Sequence, residues 1–206
     1  MKTERIPLFP LELVLFPGTP LPLHIFEPRY KQMISLCIGL QSEFAVLLVE
    51  GAQMAKVGCT AEVVKIVERY PDGRMDILTQ GMHPCRVHEV IDEKAYNEAI
   101  IEYLQEKAAD FPQEAPARLI AAFQRCHEMI YHRQLDLDEP KGEAPLSYFL
   151  ASELPIALTV KQELLELRSE AERRARLFAH LEEWAPRLER AERLRVKAAG
   201  NGHSHD

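Results

Sequence analysis

An apolar run broken by proline opens the chain and limits what it can fold into. Ile6-Pro7-Leu8-Phe9-Pro10-Leu11-Glu12-Leu13-Val14-Leu15-Phe16-Pro17-Gly18 is followed at once by Leu21-Pro22-Leu23-His24-Ile25-Phe26-Glu27-Pro28-Arg29-Tyr30. Proline lacks an amide hydrogen and fixes φ, so it is kept out of central strands and helix interiors. The run is therefore expected as short extended pieces joined by bends. Its prolines, and the charge that follows, argue against a signal peptide or a membrane span. Apolar surface in extended form must pack on something, which makes this segment the first place to look for a binding surface.

Beyond it the chain punctuates itself. Pro28 suits the first position of a helix whose apolar face is Tyr30, Met33, Ile34, Cys37 and Ile38, with Gly39 as its stop. Phe44 to Val49 reads as a buried strand. Cys59 to Tyr70 and Arg74 to Thr79 form a hairpin around Tyr70-Pro71-Asp72-Gly73, where proline presets φ and glycine accepts a positive one. Gly81 is expected to end the second strand, and Cys85–Ile91 and Asn97–Leu104 supply two more. From Pro116 the period turns helical through Leu119, Phe123, Cys126 or His127, and Ile130. Pro145 to Leu154 is a short second helix. Thr159 and Gln162 have the spacing of a capping box for a long helix from Val160 to Lys197, interrupted at Pro186. Three regions follow: a β domain over 1–109, a helical subdomain over 113–198, and a flexible tail over 199–206.

The 206 residues carry a formal charge of −7, which speaks against a broad nucleic-acid surface. Cys37, Cys59, Cys85 and Cys126 lie far apart with no C-x-x-C pair, so free thiols in a cytoplasmic protein are expected rather than a zinc site. His127 and His132 are five residues apart, off a common helical face, and His203-Ser204-His205-Asp206 lies in the tail, so no metal site is expected. Ser147 and Ser152 lack a Gly-x-Ser-x-Gly elbow.

Several blocks resemble the N-terminal substrate-binding domain of the ATP-dependent Lon proteases. They are Ile6–Leu11 with Val14–Gly18, Leu21–Tyr30, Val57-Gly58-Cys59-Thr60-Ala61-Glu62, Asp72-Gly73-Arg74 leading through Ile77-Leu78-Thr79 to Gly81, and Lys161–Glu166. Leu21–Tyr30 is the most specific of them. One departure is Met82-His83-Pro84-Cys85-Arg86-Val87, where the family usually carries an Arg-Phe pair. The resemblance implies an α+β fold: a PUA-like β pseudo-barrel with a short helix, followed by a C-terminal helical bundle with one long helix. It also implies recognition of exposed, often apolar, segments of unfolded proteins by a free-standing member of the family.

Catalysis is not expected. A phosphate-binding loop needs Gly-Lys-Ser/Thr, the chain has no Gly-Lys dipeptide, and its length leaves no room for ATPase or Ser-Lys peptidase modules. The reading is a non-catalytic binder with no cofactor. Its partners would be unfolded or partly folded polypeptides, and a protease or ATPase if it acts as an adaptor. Nucleic acid and membrane are not expected partners, and RNA binding ranks below both protein-binding readings. The candidate contacts are Leu21, Leu23, Ile25 and Phe26, with Glu27, Arg29 and Tyr30 beside them. Most of the four apolar residues are equally readable as core, and for Glu27 and Arg29 the favoured reading is that they fix the strand-to-helix corner around Pro28.

Overall fold

The structure is a computed structural model that describes residues 3–108, 116–135, 137 and 145–200. It is α+β, and its strands run β1 Thr3–Leu11, β2 Pro20–Ile25, β3 Phe44–Glu50, β4 Gln53–Met54, β5 Val57–Arg69, β6 Met75–Ile91 and β7 Glu98–Tyr103. The helices are α1 Pro28–Leu40, α2 Pro116–Tyr131, α3 Leu146–Ser152, α4 Leu158–Glu166 and α5 Glu170–Gly200. The chain divides into two compact units, Met1–Lys107 with Gly142–Arg168, and Ala108–Lys141 with Ser169–Asp206. α3 and α4 thus group with the strands, where the sequence placed them in a helical subdomain over 113–198. The Asp110-Phe111-Pro112 boundary and residues 201–206 of the expected tail lie outside the described residues.

In the first unit β1, β7, β6, β5 and β3 form a ring of paired strands, closed by the parallel pair β1–β3. The proline-rich run is two extended pieces, β1 of 9 residues and β2 of 6, joined by a bend over 12–19 as the sequence predicts, and β1 holds Pro7 and Pro10 within one strand. It tolerates Pro7 and Pro10 because it changes neighbour partway. Thr3–Pro7 pair with β7 and Leu8–Leu11 pair with β3, so each half has one side without a ladder. Inside the ring Ile6, Leu8, Ala45, Leu47, Cys85, Ala99 and Ile101 form one apolar cluster. Burial pushes the Cys85 thiol up to about 12 and Cys59 up as well, so both behave as small apolar groups.

β5 and β6 run on beyond the ring, and β2 joins the outer part of β6 to make a three-stranded sheet. The hairpin turn is as the sequence predicts: Gly73 has φ 81°, and its amide donates to Tyr70 O at 2.9 Å. β6 does not end at Gly81. The glycine serves close approach instead, since a Cβ there would stand 2.2 Å from Phe16 O. α1 likewise passes through Gly39, and Gln41 takes the left-handed conformation at its end, with φ 51°.

α4 has no capping box. It starts at Leu158 behind Ala157, and Gln162 spends its amide on Val57 O at 2.9 Å. Nor is there one long helix from Val160. Leu167 turns extended, Arg168 O accepts from Lys107 N at 2.7 Å, and the Arg168 guanidinium donates to Gln105 O. These bonds to the segment after β7 draw the chain out of helix before α5 begins. In the second unit α2 buries Leu119, Phe123, Cys126 and His127, and α5 buries Ala171, Leu177, Leu181 and Ala185. α5 runs through Pro186 without ending, at an exposed position.

Candidate binding site at the corner between β2 and α1

Alternation along β2 sorts the candidate residues. Leu21, Leu23 and Ile25 pair with Thr79, Ile77 and Met75, which are all buried, so they share the core face. Ile25 is buried, and Leu21 and Leu23 are half-buried. Tyr30 is also buried, its ring centroid 4.2 Å from that of Phe9. Glu27 occupies the N-cap position of α1, but its carboxylate bonds Arg29 at 2.8 Å rather than the helix amides. The Arg29 guanidinium also lies 4.6 Å over the Tyr30 ring. Phe26 alone of the four apolar candidates is offered to solvent, at 58% exposure.

A polar network fixes the surroundings of Phe26. Its ring stacks on His24, with centroids 5.9 Å apart and planes at 22°. His24 Nδ1 lies 2.5 Å from Asp76 Oδ1 and so donates to it, and Tyr70 Oη donates to Asp76 Oδ2 at 2.7 Å. These two donors hold the Asp76 carboxyl below the usual carboxylate range. The same hydrogen bond, with the anion beside it, pushes Tyr70 up to about 12. Arg74 lies 5.1 Å over the Tyr70 ring, and Lys31 Nζ donates to Asp72 O at 3.1 Å, tying the turn to α1. His24, Tyr70 and Asp76 were not among the sequence candidates. The turn motif locates Tyr70, but the register that sets His24 opposite Asp76 exists only once β2 has found β6.

Both outer edges of the three-stranded sheet are unpaired among the described residues. Gly81 N donates to Thr19 O at 3.0 Å, which sets the phase of the antiparallel ladder and turns Pro20 and Pro22 toward the open side of β2. That edge therefore lacks two donors. On β5 the register with β6 shifts between Val63 and Lys65 and again between Ile66 and Glu68, leaving Val64 and Val67 as extra residues, 53% and 61% exposed. Bulges of this kind twist an edge away from further pairing. A groove of about 490 Å³ lies between this edge and the end of α1, lined by Ile38, Gln41, Glu62, Val63, Val64 and Lys65 among others. None of the seven candidate residues lines it.

Among the described residues no group of three or more His, Cys, Asp and Glu could hold a metal ion, and no helix is long and apolar enough to cross a membrane.

A barrel continued by a short sheet and followed by helices is the fold of Lon N-terminal domains. A Lon N-terminal domain protein from Xanthomonas campestris superposes with a TM-score of 0.66 at 22% identity, covering 85% of this chain and 98% of that one. The N-terminal domain of a Mycobacterium avium complex Lon protease gives 0.61 at 14% identity, covering 87% and 98%. In sequence the chain is 30% identical over 190 residues to a Lon protease of Bacillus thuringiensis, and 26% identical over 216 residues to that of Escherichia coli K12. These alignments cover 82% and 94% of this chain but 23% and 27% of the relatives, so it spans about a quarter of their length. The family model for the ATP-dependent protease La (LON) substrate-binding domain matches residues 5–183, and the chain belongs to that family.

Proposed function

We propose that the chain is a non-catalytic module that holds exposed apolar segments of unfolded polypeptides, and that the β2–α1 corner is where it meets them. One observation carries the reading: Phe26 is 58% exposed yet held against an anchored His24. A large aromatic fixed before binding offers apolar area at little cost in side-chain entropy, which is how binding hot spots are built. The sheet edges support the same reading. Pro20 and Pro22 on one side and the bulges at Val64 and Val67 on the other blunt strand addition, while the valines stay exposed. Such a surface meets aggregation-prone chains through side chains without offering an edge that would template them. In the Lon proteases this region is about a quarter of a longer chain, so a protease or ATPase that takes over the client belongs to this proposal.

The test is a titration of the protein into a labelled, reduced and unfolded client. Saturable binding is expected, weakened about tenfold in Phe26→Ala. No binding, with no suppression of client aggregation, contradicts the reading.

A further inference from the structure

The long helix of the second unit, α5, outruns its packing. Its first half carries Leu177, Leu181 and Ala185, all buried, and α2 is the helix packed against it. The same stripe continues past Pro186, which is exposed on the opposite side of the helix. From Leu181 it runs through Trp184, Leu188 and Ala191 in the alternating steps of a heptad seam. Burial stops where the spacing does not. Trp184 and Leu188 are half-buried, Ala191 is exposed, and Leu194 beside them is 68% exposed, more than any other large apolar side chain among the described residues. Charge is sorted about this seam. Arg187 flanks it on one side, at heptad position g, with Arg190 and Lys197 farther round. Glu192 flanks it on the other, at position e, with Glu189 farther round, and Glu183 is the one acid on the basic side. Glu192 also holds Arg195 of its own helix at 3.1 Å, a surface pair of little energetic weight.

We infer that the distal half of α5, from Trp184 to Arg195, pairs with the same segment of a second copy of the chain as a parallel two-helix coiled coil. In that arrangement position g of one helix faces position e of the other, so Arg187 of each copy meets Glu192 of the other, twice by symmetry. An antiparallel pair would face g with g and e with e, and leave both charges without a counter-charge. The apolar side chains that α2 does not fully cover, Trp184, Leu188, Ala191 and Leu194, supply the contact. Arg195 falls on the seam itself, one step after Ala191. A charged residue there fixes the register and limits the seam to about two heptads. So short a seam buries well under the ~800 Å² per partner of a standard interface, so the dimer is weak and concentration-dependent. An unfolded client carries no fixed pair of charges to match Arg187 and Glu192, whereas a second copy matches both. The inference concerns a surface separate from the Phe26 corner and does not depend on it.

Sedimentation equilibrium of the whole chain measures the self-association, and Trp184, the one tryptophan in the sequence, reports it by a blue shift of its emission. A dissociation constant on the order of 0.1 mM is expected. Arg187→Glu and Glu192→Arg each weaken it about tenfold, and the double variant, which exchanges the two charges, returns it to within about threefold of the parent. The four native cysteines are buried, so Ala191→Cys adds an accessible thiol. Mild oxidation should join two copies through it, because a parallel pair sets residue 191 opposite itself, whereas an antiparallel one sets it opposite Leu188. Unchanged melting of the dilute protein shows that the variants fold. A chain that stays monomeric at about 1 mM overturns the inference. So does a dimer that ignores the charge reversals, one that the double variant does not restore, or one that Ala191→Cys fails to cross-link.

Discussion

Two glycine-to-alanine substitutions should move stability in opposite directions. At Gly81 an added Cβ would stand 2.2 Å from Phe16 O, 3.0 Å from Phe16 C and 3.1 Å from Leu15 Cγ, where ordinary contact begins at 3.4 Å. The obstacle is largely backbone, so the segment before β2 must retreat by about 1 Å in a region that packs densely. That movement disturbs two hydrogen bonds, Gly18 N to Gly81 O at 2.8 Å and Gly81 N to Thr19 O at 3.0 Å. Two such bonds at roughly 1 kcal/mol each, with roughly 1–3 kcal/mol for overpacking, give a loss of about 3–5 kcal/mol for Gly81→Ala. At Gly39, inside α1, a Cβ would meet nothing within 4 Å. Gly39→Ala therefore gains about 0.5–1 kcal/mol from the lower backbone entropy of the unfolded chain. Urea unfolding followed by circular dichroism reads both. With m near 2 kcal/mol/M, the midpoint falls by about 2 M in Gly81→Ala and rises slightly in Gly39→Ala. A Gly81→Ala protein within about 1 kcal/mol of the parent would refute the close-approach account.

Three further outcomes follow from the same geometry. Tyr70 ionises near 12 because its hydroxyl is bonded to Asp76, so spectrophotometric titration of Asp76→Asn should bring one tyrosine back toward 10. The stabilisation from neutral Tyr70 is full below 10 and is lost as pH rises through about 12. That from the Asp76 anion is present above its ordinary value of 3.8 and is lost as pH falls through the lower folded one, so the parent's advantage over Asp76→Asn vanishes in acid. The neighbours Ile25 and Phe26 should separate core from surface by thermal melting: Ile25→Ala costs about 2–5 kcal/mol, and Phe26→Ala less than about 1 kcal/mol. The four cysteines are all buried and free, with burial raising the thiols, so a thiol reagent should label none in the native protein and four in denaturant.

The parts of the fold that were legible in the sequence are those decided by neighbours in the chain. The turn at Tyr70–Arg74 and the start of α1 at Pro28 are local chemistry, and both stand where the residues place them. What the sequence hid depends on distant partners. Pro7 and Pro10 sit in a continuous strand only because β1 leaves β7 for β3 between them. Gly39 and Gly81 look like stops, yet one is an ordinary helical residue and the other makes room for Phe16. Thr159 and Gln162 have the spacing of a cap, but Gln162 is drawn to Val57, 105 positions away. The site divides in the same manner. The apolar character of residues 21–26 is plain, but which side faces water is fixed by pairing with β6, which buries Ile25 and leaves Phe26 out.

The most direct test of the account is amide chemical-shift mapping of the isotope-labelled chain as an unfolded client is added. The account predicts perturbations concentrated at His24–Arg29 and at Tyr70–Asp76 across from them, and their loss in Phe26→Ala. Binding that leaves those amides unmoved and perturbs another face would contradict it.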